Sequence, residues 1–245
     1  MFIGLGTVAN VVTVLVGALV GLLLGHRIPE RTRDTVTSLL GIFTLLIGGL
    51  SAVAVTSAAF LEATGSGAPM LIVLASLLLG AIAGSGWRLE DRLEAGGEWV
   101  RRRFARDGDT STFVDGFVTS TLLFCVGPLA ILGSLSDGLG RGADQLLVKA
   151  VLDGFAAMAF ASTLGIGVMF AAVPVALYQG TLTVVGALAG SFLPAAHIDA
   201  LTATGGLILV GLGLRLLRIK PIPVGDLLPA LVLAPLLTQL VVVLR

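Results

Sequence analysis

Asp115 and Asp153 are the residues from which chemistry is read first, because each stands where a carboxylate is expensive. Asp153 lies inside an apolar run from Leu146 to Leu193, and Asp115 opens a second apolar stretch. Both are followed by Gly-Phe, and each Asp-Gly-Phe is followed at the same distance by another glycine, Gly127 and Gly165. An ionisable side chain within hydrocarbon marks an ion or proton site by default. Two local readings compete with that one. Asp115 suits a helix start, where a negative charge is favoured, and Asp153 has Lys149 one helical turn earlier to neutralise it. Ser120, Ser162 and Gln179 are polar groups in the same apolar stretches and could line a path beside the carboxylates. So could Asn10, Thr121 and Thr163. The usual work of such residues is to bond between helices or back to a carbonyl. Gly127, Gly165 and Gly167 could break the helices that carry the two aspartates and open backbone carbonyls to a solute. They could equally serve close helix packing.

Other chemistries find little support. Cys125 is the only cysteine, so no intramolecular disulfide or thiolate metal cluster is expected, and it has no His or Lys near it in sequence to act as a base. His26 and His197 read as loop residues without metal-ligand spacing. Asp34 and Asp199 follow prolines at helix starts and read as caps. No zincin, nucleophile-elbow or phosphate-loop motif is present, so neither an enzyme nor a cofactor is expected. A net charge of zero gives no footprint for nucleic acid.

The elements that must hold these residues are membrane helices. The 245 residues are 56% hydrophobic and 12% charged, about half the usual charge content. A span needs about 20 apolar residues, and about eight candidates can be read. They are 3–25, 35–56, 69–87, 113–135, two from the run 146–193 divided near Val173-Pro174, 200–217 and 227–244. Were the fifth re-entrant, seven would remain. The N-terminus lacks a charged leader and a cleavage site and reads as a retained helix. Arg27, Arg31 and Arg33, then Arg88, Arg92, Arg101, Arg102, Arg103 and Arg106, then Arg215, Arg218 and Lys220 fall in loops on one side of an eight-span path. The positive-inside rule makes that side cytoplasmic and puts both termini outside. Residues 88–106 carry Leu89, Leu93, Val100 and Phe104 at roughly helical spacing between Trp87 and Trp99, which reads as an amphipathic segment on the inner leaflet, broken at Gly96-Gly97. Gly17, Gly21 and Gly25 form a tandem small-residue motif for packing; facing lipid, it would permit a homo-oligomer.

The chain also resembles itself. With Val20 laid over Val185, Gly21/Gly186, Leu23/Leu188, Gly25/Gly190, Pro29/Pro194, Asp34/Asp199, Thr37/Thr202, Gly41/Gly206 and Gly48/Gly213 coincide. Leu71–Leu78 resembles Ala230–Leu237, which pairs spans three and eight, and the Asp-Gly-Phe motifs pair spans four and five. Partners separated by an odd number of spans have opposite orientation, which is the inverted-repeat logic of secondary transporters. The expected architecture is an all-α bundle in which spans 1–4 oppose spans 5–8. Its parts are 1–112, with the first three spans and the amphipathic segment, 113–173, with the two Asp-Gly-Phe spans, and 174–245, with the last three.

The stretches VDGFVTSTLLFCVGPLAILGSLSDGL, VLDGFAAMAFASTLGIGVMFAAVP, LYQGTLT and LLPALVLAPLL, with GLLLGHRIPER near the N-terminus, resemble the YdfK/YqgA family of bacterial membrane proteins. The resemblance covers essentially the whole chain. It implies a multi-pass protein of the bacterial inner membrane and supplies no binding residue, because the family's function is unknown. The favoured expectation is a transporter or channel for a cation or small polar solute at the repeat interface. The alternative is a non-transporting scaffold or sensor that acts through its Arg-rich segment.

Overall fold

A computed structural model describes residues 2–25, 29–92, 94–95, 99, 110–126, 128–140, 142–189 and 194–245, and among these there is no strand. The helices are α1 (Leu5–Gly25), α2 (Glu30–Ala52), α3 (Ala58–Thr64), α4 (Ala68–Trp87), α5 (Thr110–Val126), α6 (Pro128–Gly138), α7 (Asp144–Leu164), α8 (Gly167–Phe170), α9 (Ala172–Ala189), α10 (Ala195–Leu216) and α11 (Pro229–Leu244). Short 3₁₀ turns occupy Val53–Thr56 and Val224–Leu227. Six stretches of the described residues are long and apolar enough to cross a membrane, or up to eight if each of two bent pairs counts as one span. The bent pairs are the end of α2 with α3, at 43°, and α5 with α6, at 72°.

Most polar residues inside these helices are settled locally. Thr64, Ser76, Ser134, Thr181 and Thr238 each donate a hydroxyl to the carbonyl four residues earlier. That satisfies them where water is absent. The long run divides at Gly165, which takes φ +76°, a conformation L side chains rarely adopt. This corrects the division expected at Val173-Pro174. Pro174 sits in the first turn of α9, where its missing N–H breaks no helical hydrogen bond. The helix α3 lies between the second and third spans expected from the sequence. Ser57 starts it, its hydroxyl accepting from the Phe60 amide at 3.1 Å.

Two compact units emerge. Unit one comprises Met1–Leu40 and Leu93–Phe192; unit two comprises Gly41–Arg92 and Leu193–Arg245.

In unit one, α1 and α7 pack more closely than side chains allow. A Cβ on Gly17 would strike the Gly154 carbonyl, and one on Gly21 would strike that of Met158. The contact positions rise together, so α1 and α7 run parallel. The small-residue motif of α1 is therefore spent within the unit through Gly17 and Gly21, which corrects the lipid-facing reading. Buried Asp137, at the end of α6, accepts from the Gly4 and Gly6 amides at 3.2 and 3.0 Å. The N–H groups that open α1 thus find a carboxylate, as a helix start favours.

In unit two, Phe60, Ile72, Val73, Ala196, Ala200, Ala203 and Ala234 form the core. Its alanines let backbones approach, which is how membrane helices gain packing energy. α4 and α11 are antiparallel: Gly80 meets Ala230 while Gly84 meets Asp226. α2 and α10 are antiparallel too. Cβ atoms on Gly48 and Gly206 would lie 2.7 and 2.6 Å from each other's carbonyl oxygens, and Gly41 and Gly213 face each other two turns away. Gly48 and Gly206 meet backbone, whereas Gly41 and Gly213 first meet the flexible ends of Leu217 and Leu45. Gly48→Ala and Gly206→Ala should therefore lower the unfolding temperature in detergent more than Gly41→Ala and Gly213→Ala. The reverse order would mean that α2 and α10 cross elsewhere.

Two cap readings are corrected. Asp34 lies inside α2, which begins at Glu30, and Asp199 is the fifth residue of α10. The Asp199 carboxylate accepts the Ser57 hydroxyl at 2.5 Å, so it anchors the residue that caps α3. His197 is likewise a helix residue, buried, with Nε2 2.9 Å from the Gln239 side-chain oxygen. His26 lies outside the described residues.

Candidate buried polar centre

Unit one contains a cluster that local bonding does not settle. Lys149 and Asp153 lie one turn apart on α7 with 5% and 7% of their surfaces exposed. The Lys149 Nζ donates to Asp153 Oδ2 at 2.5 Å, and the Asn10 amide of α1 donates to the same oxygen at 3.0 Å. Two charges and an amide in an apolar bundle are tolerable only because they compensate each other. The parallel packing of α1 and α7 brings the three together across 143 residues of sequence.

The remaining helices of the unit complete the surroundings. Cys125 of α5 and Tyr178 of α9 lie in the same unit. The Thr7 and Thr183 hydroxyls meet at 3.2 Å between α1 and α9. Because α7 runs with α1 and the chain then turns at Gly165, α9 returns against α1. That register sets Gln179 at the level of Asn10. Both are fully buried. Among the described residues, both Gln179 amide atoms and the Asn10 Oδ1 have no hydrogen-bond partner, nor do the Ser120 and Thr121 hydroxyls on α5. Buried polar groups nearly always find partners, so five such atoms in one unit call for an explanation.

The sequence-derived candidates separate accordingly. Asp153 lies in the centre, and Gln179 is buried on α9 at the level of Asn10 that the Thr7–Thr183 contact sets. Asp115 is exposed on α5. Gly116 abuts Leu164, which puts Asp115 at the far end of α7, about three turns from Asp153. The structure does not bring the two carboxylates together. Ser120 is buried on α5, between those levels. Ser162 donates to the Ala159 carbonyl at 2.7 Å. Gly165 forms the turn after α7, and Gly167 packs against the Phe113 carbonyl. Gly127 lies outside the described residues. Sequence reasoning named Asn10 only in passing and missed Thr7, Thr183 and Asp137. Each acts through a contact more than 130 residues away.

In unit two, Glu90 is buried and accepts from Arg215 and from the Gly225 amide, the latter at 2.6 Å. Its own amide donates to Asp226 at 2.9 Å. The start of the Arg-rich segment is thereby tied to the end of α10. Trp87 and Trp99 are exposed, whereas Leu93, Gly96-Gly97 and residues 100–106 of the expected amphipathic segment lie outside the described residues.

Long apolar helices with large outward aliphatics such as Leu71, Ile82, Leu177, Leu188 and Val243, enclosing a buried ion pair, define a polytopic membrane protein. The chain matches the family described as "Protein of unknown function (DUF554)" over residues 5–239, and it belongs to that family. It is 35% identical over 233 residues to the uncharacterized protein YqgA of Escherichia coli (strain K12), covering 94% of each chain. It is 28% identical over 230 residues to the uncharacterized membrane protein YdfK of Bacillus subtilis (strain 168), covering 94% of this chain and 93% of that one. No solved structure matches.

Proposed function

We propose that this protein is a transporter or channel for a cation or small polar solute, not an enzyme, and that its site is the buried centre around Asp153. The observation that carries this reading is a compensated ion pair beside unpartnered amides in an otherwise apolar bundle. A merely structural pair gains nothing from neighbours left without hydrogen bonds. The architecture we propose is eight spans in an inverted repeat, 1–4 against 5–8. The reciprocal glycine pairs support it: Gly41 corresponds to Gly206 and Gly48 to Gly213, and each meets the counterpart of the other. Helix directions support it too. Spans one and five run parallel, while two and seven, and three and eight, run antiparallel, as an eight-span path requires. The Arg-rich loops support the cytoplasmic membrane with both termini outside. The partners proposed are the bilayer and the solute.

The test is flux in proteoliposomes across a panel of ions and small solutes. Asp153→Asn should abolish flux. So should the neutral pair Lys149→Gln/Asp153→Asn, which keeps a hydrogen-bonded contact and guards against misfolding. Asp115→Asn, away from the centre, should reduce flux less. Full flux in the neutral pair would refute the assignment. The scaffold or sensor reading has one observation in its favour, the tie from Glu90 to Arg215 and Gly225. It requires instead that deleting residues 94–106 remove function while the Asp153 variants remain active.

A further inference from the structure

The charge of the centre and its open hydrogen-bonding positions restrict what it can hold. Lys149 and Asp153 cancel, and Asp153 Oδ2 already accepts from both the ammonium and the Asn10 amide. A bare cation would have to displace Lys149 or stand beside it, and the like charge opposes that in a medium of low dielectric. Among the described residues of unit one, the fully buried side-chain atoms left without a partner are all neutral. The Asn10 amide must turn its nitrogen to the carboxylate, which leaves Oδ1 as an unused acceptor. Gln179, level with it on α9, has an unused acceptor and an unused pair of donors. On α5 the unpartnered Ser120 and Thr121 hydroxyls extend this set toward the Leu164 end of α7.

We infer that the centre takes a neutral solute bearing both hydrogen-bond donors and acceptors, of the amide or polyol class, in preference to a bare cation. The inference rests on the transport reading above and narrows it. Such a solute answers the open amide of Gln179 and the open oxygen of Asn10 and leaves the ion pair in place. Bound there, it would give the buried Gln179 and Asn10 atoms the hydrogen bonds that buried polar groups ordinarily make. That gain favours binding only for a molecule with matching groups.

The experiment uses the full chain in vesicles of phosphatidylethanolamine and phosphatidylglycerol. Stopped-flow light scattering follows urea, acetamide and glycerol, and radiotracer uptake follows sodium and rubidium. The expected result is protein-dependent entry of at least one neutral solute and none of either cation. Gln179→Met should abolish that entry while leaving the unfolding temperature equal to or above that of the parent, because it replaces an unpartnered polar group by an apolar one of similar shape. A lowered unfolding temperature would make Gln179 structural and overturn the inference. Unchanged entry in that variant would overturn it as well. Cation flux without neutral flux would overturn the solute class and leave the transport reading intact. No flux of any member would overturn both.

Discussion

Lys149→Met should lower stability by about 3–5 kcal/mol, the typical cost of removing one partner from a buried pair. Lys149 and Asp153 are almost wholly buried, and the ammonium is the closer of the two donors to Asp153 Oδ2. Without it the carboxylate keeps only the neutral Asn10 amide. It must then take up a proton or draw water into the bundle. Membrane-insertion scales put a lone aspartate at a helix centre at about 3 kcal/mol, which agrees in size. Asp153→Asn should cost a similar amount for the mirror reason, an ammonium left alone. The double variant Lys149→Met/Asp153→Leu should recover most of the loss, since it leaves no buried charge. Asn10→Leu should cost less than either single change, because the ion pair survives it. Denaturant titration in detergent of the parent, both single variants and the double variant gives the coupling energy. Additive single effects would show that the two charges do not compensate each other.

Much of this arrangement could be read from the chain, and the limit is physical. Hydropathy over about 20 residues is a local property, so α1, α4, α10 and α11 fall close to the spans read from the sequence, and α7 begins close to where the fifth span does. The Lys149–Asp153 pair is local too, one turn of one helix. Gly165, open in the sequence between a helix break and a packing position, is the turn that ends α7, whereas proline points to the wrong place in the same run. Proline breaks a helix only past its first turn, and the sequence does not say where the first turn begins. The motif Gly17–Gly21 announced close packing but not its partner, since many faces can accept a small-residue stripe. Asn10–Asp153, Thr7–Thr183 and Glu90–Arg215 were out of reach because each joins segments more than 120 residues apart. The two aspartates shared a motif yet not an environment. Asp115 lies near the start of α5 and Asp153 near the middle of α7, so the same three letters sit at different depths of the unit.

Gly17→Val is expected to be the most damaging single change on α1. A Cβ there would fall on the Gly154 carbonyl oxygen, and a β-branched side chain adds two methyl groups to the same collision. Backbone cannot rotate aside as a side-chain end can, so α1 and α7 must move apart. Overpacking of a close contact costs about 1–3 kcal/mol and more when backbone must shift, and this site belongs to the second kind. The effect should reach the polar centre. Asn10 stands about two turns from Gly17 on the same helix, and a 3.0 Å hydrogen bond does not survive an ångström of separation with its strength intact. Gly17→Val should therefore destabilise the fold and also weaken the coupling between Asn10 and Asp153 in a double-mutant cycle. Gly49→Ala and Gly180→Ala supply the contrast. A Cβ at either meets nothing within 4 Å, and both lie inside helices, where alanine is favoured over glycine by about 0.5–1 kcal/mol. These two should unfold at or above the parent's temperature. If Gly17→Val did the same, α1 and α7 would not be in contact at Gly154, and the geometry that brings Asn10 to Asp153 would have to be abandoned.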